Sequence, residues 1–331
     1  MSTTAFDTAI TQARDLLRWR SPLRTELWAA RLMAELEEAG EAEAFARRAA
    51  EDGRLEARLA VAAMAVLDRP GEAPVEDSGE GGGDGGGGGG GELPGWVRRM
   101  GRVTCEGAWY GKADPYGEQV LAVLAFRYEN GKEPHILVTG IDQPHGGLAV
   151  DALVEELKFL DDLGLREAEP GVVAGRILDA FELGDRLMGA EVAETLPAIR
   201  PLAVARARSV PGLVRGGAPD GAMAAFQDLP DLPGAEEAFG KLTEFVGDRP
   251  LWWSPGRVRQ FLTSWLPREA ILSQEAIEAM PEVVRAWTRH CGDQPAVLRQ
   301  IDEDAPRLPA LMADDSLAGL GKRLAQQNLP E

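Results

Sequence analysis

Cysteine, histidine, tyrosine and long apolar runs are all scarce in this 331-residue chain, and each shortage removes a class of explanation. The two cysteines, Cys105 and Cys291, stand in opposite thirds of the sequence. That separation offers neither a disulfide framework nor a zinc-ligand spacing, so both are expected as buried thiols. The longest apolar runs, Val61–Leu67 and Val120–Phe126, fall far short of the ~20 residues that cross a bilayer. Met1 to Arg14 is polar and carries no basic cap or apolar core of a leader. A soluble cytoplasmic protein with no membrane partner is expected. Positive charge is also in deficit, with 35 Lys and Arg against 54 Asp and Glu and a net charge of -19. Each of the segments 1–70, 71–95, 96–170 and 171–331 is net acidic, which repels a phosphate backbone. Nucleic acid is therefore not an expected partner. The most positive stretch picked out, Arg200, Arg206, Arg208 and Arg215, is interleaved with Pro201 and Pro211 and has no stacking aromatic; it reads as a solvated helix face.

Glycine is plentiful, but the excess is local. From Gly79 to Gly91 only Glu80 and Asp84 interrupt the glycines, and Glu72 to Glu92 holds six acidic residues. Such a segment cannot bury enough apolar surface to offset its ordering entropy, and its charges repel. Residues 71–95 are thus expected to be a flexible acidic linker between a helical N-terminal unit, 1–70, and a larger body, 96–331.

In the first unit Phe6, Ile10, Ala13 and Leu17 recur at helical spacing, Ser21-Pro22 caps a second helix, and Glu41 to Leu67 reads as a third. From Arg102 to Asp142 the apolar period shifts to two, and Glu129-Asn130-Gly131-Lys132 is a hairpin signal. The spacing predicts a three-stranded antiparallel meander followed by a helix over Leu148–Leu160. Beyond Val172 the helical period returns, with Ser254-Pro255, Ser273 and Met280-Pro281 as helix starts. The fold class expected is mainly helical α+β with a small antiparallel meander, plus an all-α N-terminal unit.

The densest group of reactive side chains is Asp142-Gln143-Pro144-His145-Gly146-Gly147-Leu148-Ala149-Val150-Asp151, where the third strand gives way to the next element. Asp142, His145 and Asp151 are the candidate catalytic set, either as a divalent-metal site or as a histidine base oriented by a carboxylate. The reading favoured by the spacing is structural, with Asp142 satisfying turn amides and the glycines supplying the bend. His135 points away from Asp142 in a regular strand and reads as a hydrogen-bonded core histidine. His290-Cys291 are neighbours that diverge by about 100° on a helix and cannot form a base–nucleophile pair. Gly146-Gly147 lacks the flanking Lys or Ser of a phosphate cradle. No metal or cofactor is expected. Four of the eight tryptophans, Trp252, Trp253, Trp265 and Trp287, fall close together. They are the candidate binding residues, as anchors in a groove, against the simpler reading of a helical core.

Asp114-Pro115-Tyr116-Gly117-Glu118-Gln119, the run from Asp142 to Asp151, Trp253-Ser254-Pro255, Trp265-Leu266-Pro267-Arg268 and Met280 to Trp287 together resemble an uncharacterised family of hypothetical proteins from high-GC actinobacteria. The similarity spans residues 96–300. It implies an actinobacterial source and a cytoplasmic location and implies no reaction. Members carry a histidine directly after the equivalent aspartate; here Gln143 follows Asp142, which weakens a catalytic role for His145. The leading expectation is a non-enzymatic protein-binding or adaptor module, in which the helical unit and the tryptophan-bearing helices face a protein partner. The alternative is a metal-assisted hydrolase centred on residues 142–151.

Overall fold

The computed structural model describes residues 3–69, 92–187, 189–216, 221–292 and 294–327. The expected linker therefore lies outside the described residues up to position 91. The chain is mainly helical α+β, with four N-terminal helices and a five-stranded antiparallel sheet. It divides into two compact units, residues 1–110 with 121–216 and residues 111–120 with 217–331.

The first unit opens with α1 (Thr3–Trp19), α2 (Pro22–Glu38), α3 (Ala42–Asp52) and α4 (Leu55–Asp68). Ser21 caps α2 by accepting the Arg24 N–H, with Pro22 at the first helical position, the arrangement the Ser-Pro pair predicts. The single helix expected over 41–67 is two, because Gly53 takes a left-handed φ of 67° and ends α3. The sheet runs in the order β4-β3-β2-β1-β5, built from β1 (Val103–Lys112), β2 (Gln119–Tyr128), β3 (His135–Asp142), β4 (Leu148–Glu156) and the short β5 (Arg166–Glu167). Two helices complete the unit, α5 (Pro170–Arg186) and α6 (Thr195–Arg208).

The meander thus has more strands than expected, and the helix predicted over 148–160 is a correction. Leu148–Glu156 is a strand paired antiparallel to β3, followed by two short 3₁₀ turns. Gly146 and Gly147, at φ 88° and 90°, reverse the chain tightly, and the Gly147 N–H returns to the Asp142 carbonyl at 2.9 Å. The edge of β3 is then filled by the segment that follows. Val150 and Val154 suit a strand as well as a helix, so pairing of an open edge outweighs a helical apolar spacing. A bulge between Gly140 and Ile141 shifts the register, and the freed Val150 carbonyl accepts the Ala193 N–H at 2.8 Å.

Packing also divides the chain differently from the glycine tract. Ala13, Leu16, Ala29, Ala30, Leu59 and Val66 of α1, α2 and α4 share one apolar cluster with Trp96, Val97, Met100, Leu202 and Ala205. The N-terminal helices close their core with α6 instead of standing apart. The chain at 212–215 passes close to α5, and a Cβ on Gly171 or Gly175 would lie 2.1 Å from the Gly212 carbonyl or 1.8 Å from that of Val214. Only glycine permits that approach.

The second unit contains α7 (Gly221–Ala224), α8 (Ala235–Val246), α9 (Pro255–Gln260), a five-residue π-helical turn (Phe261–Trp265) running into α10 (Leu266–Glu269), α11 (Gln274–His290), α12 (Pro295–Asp304), α13 (Leu308–Met312) and α14 (Leu320–Gln327). Ser254 and Ser273 cap α9 and α11 as their sequences predict. Pro281 does not open a helix of its own but sits inside α11. Met280, Val283, Val284 and Trp287 are fully buried there, and that burial carries the helix through the missing N–H. The 111–120 loop packs in the same unit. Trp253 donates its backbone N–H to the Tyr116 carbonyl at 2.8 Å, and Lys112 Nζ reaches the Cys291 carbonyl at 2.7 Å.

Candidate functional site

The turn after β3 brings two of its three candidates together. The Asp142 carboxylate accepts the His145 backbone N–H at 3.2 Å, and its second oxygen lies 3.1 Å from His145 Nδ1. Both bonds belong to the turn, and the His145 ring is exposed. Asp151 lies on β4 and accepts the Thr195 hydroxyl at 2.6 Å, so its carboxylate is engaged by the first residue of α6. It stands in a strand, within the segment 148–160 for which the sequence predicts a helix. Among the described residues no group of three His, Cys, Asp or Glu side chains is arranged to hold a metal ion.

The thiols and remaining histidines are held in protein contacts. Cys291 Sγ faces the Pro250 carbonyl at 3.9 Å, and burial pushes its pKa up to about 12, against the opposing pull of Lys112. Burial likewise raises Cys105. His290 packs edge-on to Phe226 and tilted against Trp287, with ring centroids 5.4 and 5.2 Å away. These are inert environments for a thiolate nucleophile.

The clustered tryptophans separate by environment. Trp253 and Trp287 are fully buried, and Trp253 Nε1 donates to Thr288 Oγ1 at 2.9 Å. Trp265 leans on the same core beside Phe245 and Phe261. Trp253 and Trp287 thus serve the helical core, and Trp265 lies half-buried at its margin. Trp252 differs in its neighbours. It is only half-buried, and two guanidinium groups lie against its ring, Arg257 at 4.2 Å and Arg249 at 5.6 Å.

Two groupings in the first unit escape the sequence pattern altogether. Arg206, expected on a solvated face, is 2 % exposed and paired with Glu26, which is fully buried. Glu26 also accepts the Gly101 N–H at 2.6 Å and the Tyr128 hydroxyl at 2.7 Å. Arg206 Nε donates to His135 Nε2 at 3.3 Å, while His135 Nδ1 donates to the Glu133 carbonyl at 2.8 Å. His135 is thus the core histidine its strand position predicts. Burial foremost, with the Arg206 charge, lowers its pKa to about 4 and keeps it neutral. Burial raises the Tyr128 phenol well above 10 despite Arg206. Burial opposes charge on Arg206 too, but Glu26 and Tyr128 outweigh it and raise its pKa. The network is closed to solvent, and its role is to join α2, β2, β3 and α6.

The second grouping is on the surface. At the α1–α2 corner Trp19 is 60 % exposed. Arg20 beside it adopts φ 55°, and the Arg24 guanidinium lies 5.2 Å over the indole. Four arginines and one aspartate fall between Arg14 and Arg24. Arg14 pairs with Glu56 and Arg18 with Asp15. Among the described residues neither Arg20 nor Arg24 is within ion-pair distance of a carboxylate. Averaging charge over residues 1–70 conceals this patch, because the acidic residues of the same segment lie elsewhere along the helices.

Comparison of the chain with protein-family models, with curated proteins and with solved structures finds no match.

Proposed function

We propose that the chain is a non-enzymatic, cytoplasmic protein-binding module whose contact surface is the α1–α2 corner and whose partner presents an acidic segment. The observation that carries this reading is an indole 60 % exposed beside Arg20 and Arg24, neither ion-paired among the described residues, in a chain of net charge -19. A large rigid aromatic supplies contact area at low entropic cost, and arginine supplies planar charge that carboxylates match. The surrounding negative charge turns away polyanions at long range, so an acidic partner has to be recognised by close contact at this one patch. One further fact supports a binding role: the candidate acid–base residues Asp142 and Asp151 are engaged in turn and strand contacts.

The test is site-specific photo-crosslinking in the native host. A benzoylphenylalanine replaces Trp19, with the exposed Arg47 of α3 as the control position. A discrete adduct from position 19, absent from position 47 and lost when Arg20 and Arg24 are both changed to Glu, is the expected result. Identical adducts at the two positions, or none at position 19, defeat the proposal.

A further inference from the structure

Arg257 is 8 % exposed, yet among the described residues no carboxylate pairs with it. Its guanidinium lies 3.9 Å from the centroid of the Phe245 ring and 4.2 Å from that of Trp252. Nη2 donates to the Phe245 carbonyl and Nη1 to Gln260 Oε1, both at 3.0 Å. Among the described residues Nε has no hydrogen-bond partner, and neither has the indole N–H of Trp252; both atoms are buried. The half-buried Arg249 lies against the same indole, 5.6 Å from its centroid. The acid next to it, Asp248, pairs with Arg249 at 3.6 Å and stays on the exposed side. Two positive groups and an unsatisfied donor therefore meet at one indole, with the inner charge uncompensated. Burial, with the nearness of Arg249, lowers the Arg257 pKa to about 10.

A buried charge without a counter-ion is costly, and a buried N–H without an acceptor adds to that cost. Ring faces and two carbonyl oxygens recover part of this for Arg257. An oxyanion recovers the rest, because it accepts several hydrogen bonds at once and carries the missing charge. We propose that Arg249, Trp252 and Arg257 form a binding site for a small oxyanion, a phosphate or phosphate monoester, with Arg257 and the Trp252 N–H at its base and Arg249 at its rim. This inference is independent of the α1–α2 corner, which belongs to the other unit.

The test is calorimetric titration and thermal melting of the full chain with inorganic phosphate and with phenyl phosphate, each against potassium chloride of equal ionic strength. Saturable binding and a raised melting temperature at about 10 mM phosphate or ester, beyond the chloride control, are expected. Binding of both probes marks a site for the free ion, and binding of phenyl phosphate alone marks a site for an ester; either supports the proposal. Arg249→Gln, at the rim and partly exposed, should fold and weaken binding about tenfold, the loss of one charge-assisted contact. Trp252→Phe keeps the ring, removes the donor and should weaken binding about fivefold. No binding beyond chloride in the parent chain, or equal affinity in the parent and both variants, overturns it.

Discussion

The Glu26–Arg206 pair offers the sharpest test of how the first unit holds together. Its members are 0 % and 2 % exposed, and Glu26 answers three donors: the Gly101 N–H, the Tyr128 hydroxyl and the Arg206 guanidinium. Removing one member of such a pair leaves the other charge buried and uncompensated, a cost of about 3–5 kcal/mol. Arg206→Met should cost about that much, and so should Glu26→Leu, which also strands the Gly101 and Tyr128 donors. The double variant removes both charges, so its cost should fall short of the sum of the single costs by at least about 2 kcal/mol. Tyr128→Phe added to the double variant should recover part of the remainder, since a buried hydroxyl without an acceptor costs about 1–3 kcal/mol. Urea unfolding measures all four, with hydrogen exchange of the β2 and β3 amides assigning the change to the first unit. Single costs below about 1 kcal/mol, or costs that add within ~0.5 kcal/mol, refute the reasoning, because a closed, desolvated pair cannot be energetically silent or uncoupled.

Three further outcomes follow from neighbouring features. His135 has a folded-state pKa of about 4 against 6.5 in the unfolded chain. The unfolded state therefore binds the extra proton first as pH falls, and stability contributed above pH 6.5 is lost between 6.5 and 4, by about 3 kcal/mol in full. Stability measured against pH should slope upward through that window, and His135→Gln should flatten the slope by that share; equal slopes in both proteins would show that the histidine is not held neutral. Gly175→Ala should destabilise by about 2 kcal/mol or more, because the new methyl would sit 1.8 Å from a backbone carbonyl. Gly240→Ala in α8 meets no atom within 4 Å and should stabilise by about 0.5–1 kcal/mol. A melting comparison in which the two substitutions act alike would contradict the account of why α5 carries glycine.

How legible the chain is depends on the range of the forces involved. Ser21-Pro22, Ser254-Pro255 and Ser273 mark helix starts because a cap is made within three residues, and each side chain does accept the predicted N–H. The buried faces of β2 and β3 show in their apolar runs for the same local reason. The strand at 148–156 does not show, because its apolar spacing satisfies a helix equally well and the decision rests with the open edge of β3. Of the candidate residues, Asp142 and His145 meet because a glycine turn joins them, while Asp151 is drawn to Thr195, far along the chain.

Composition and local pattern by themselves determined a mainly helical α+β chain, acidic throughout, with caps and turns at readable positions, because propensity, period and capping act within a few residues. Only the tertiary structure decided which arginines are buried and which tryptophan stays exposed. Arg206 and Arg20 are chemically the same residue, yet one closes a desolvated network and the other faces solvent beside Trp19. Burial is a property of surfaces that meet across long sequence distances, and a chain written in one dimension does not state which surfaces those are.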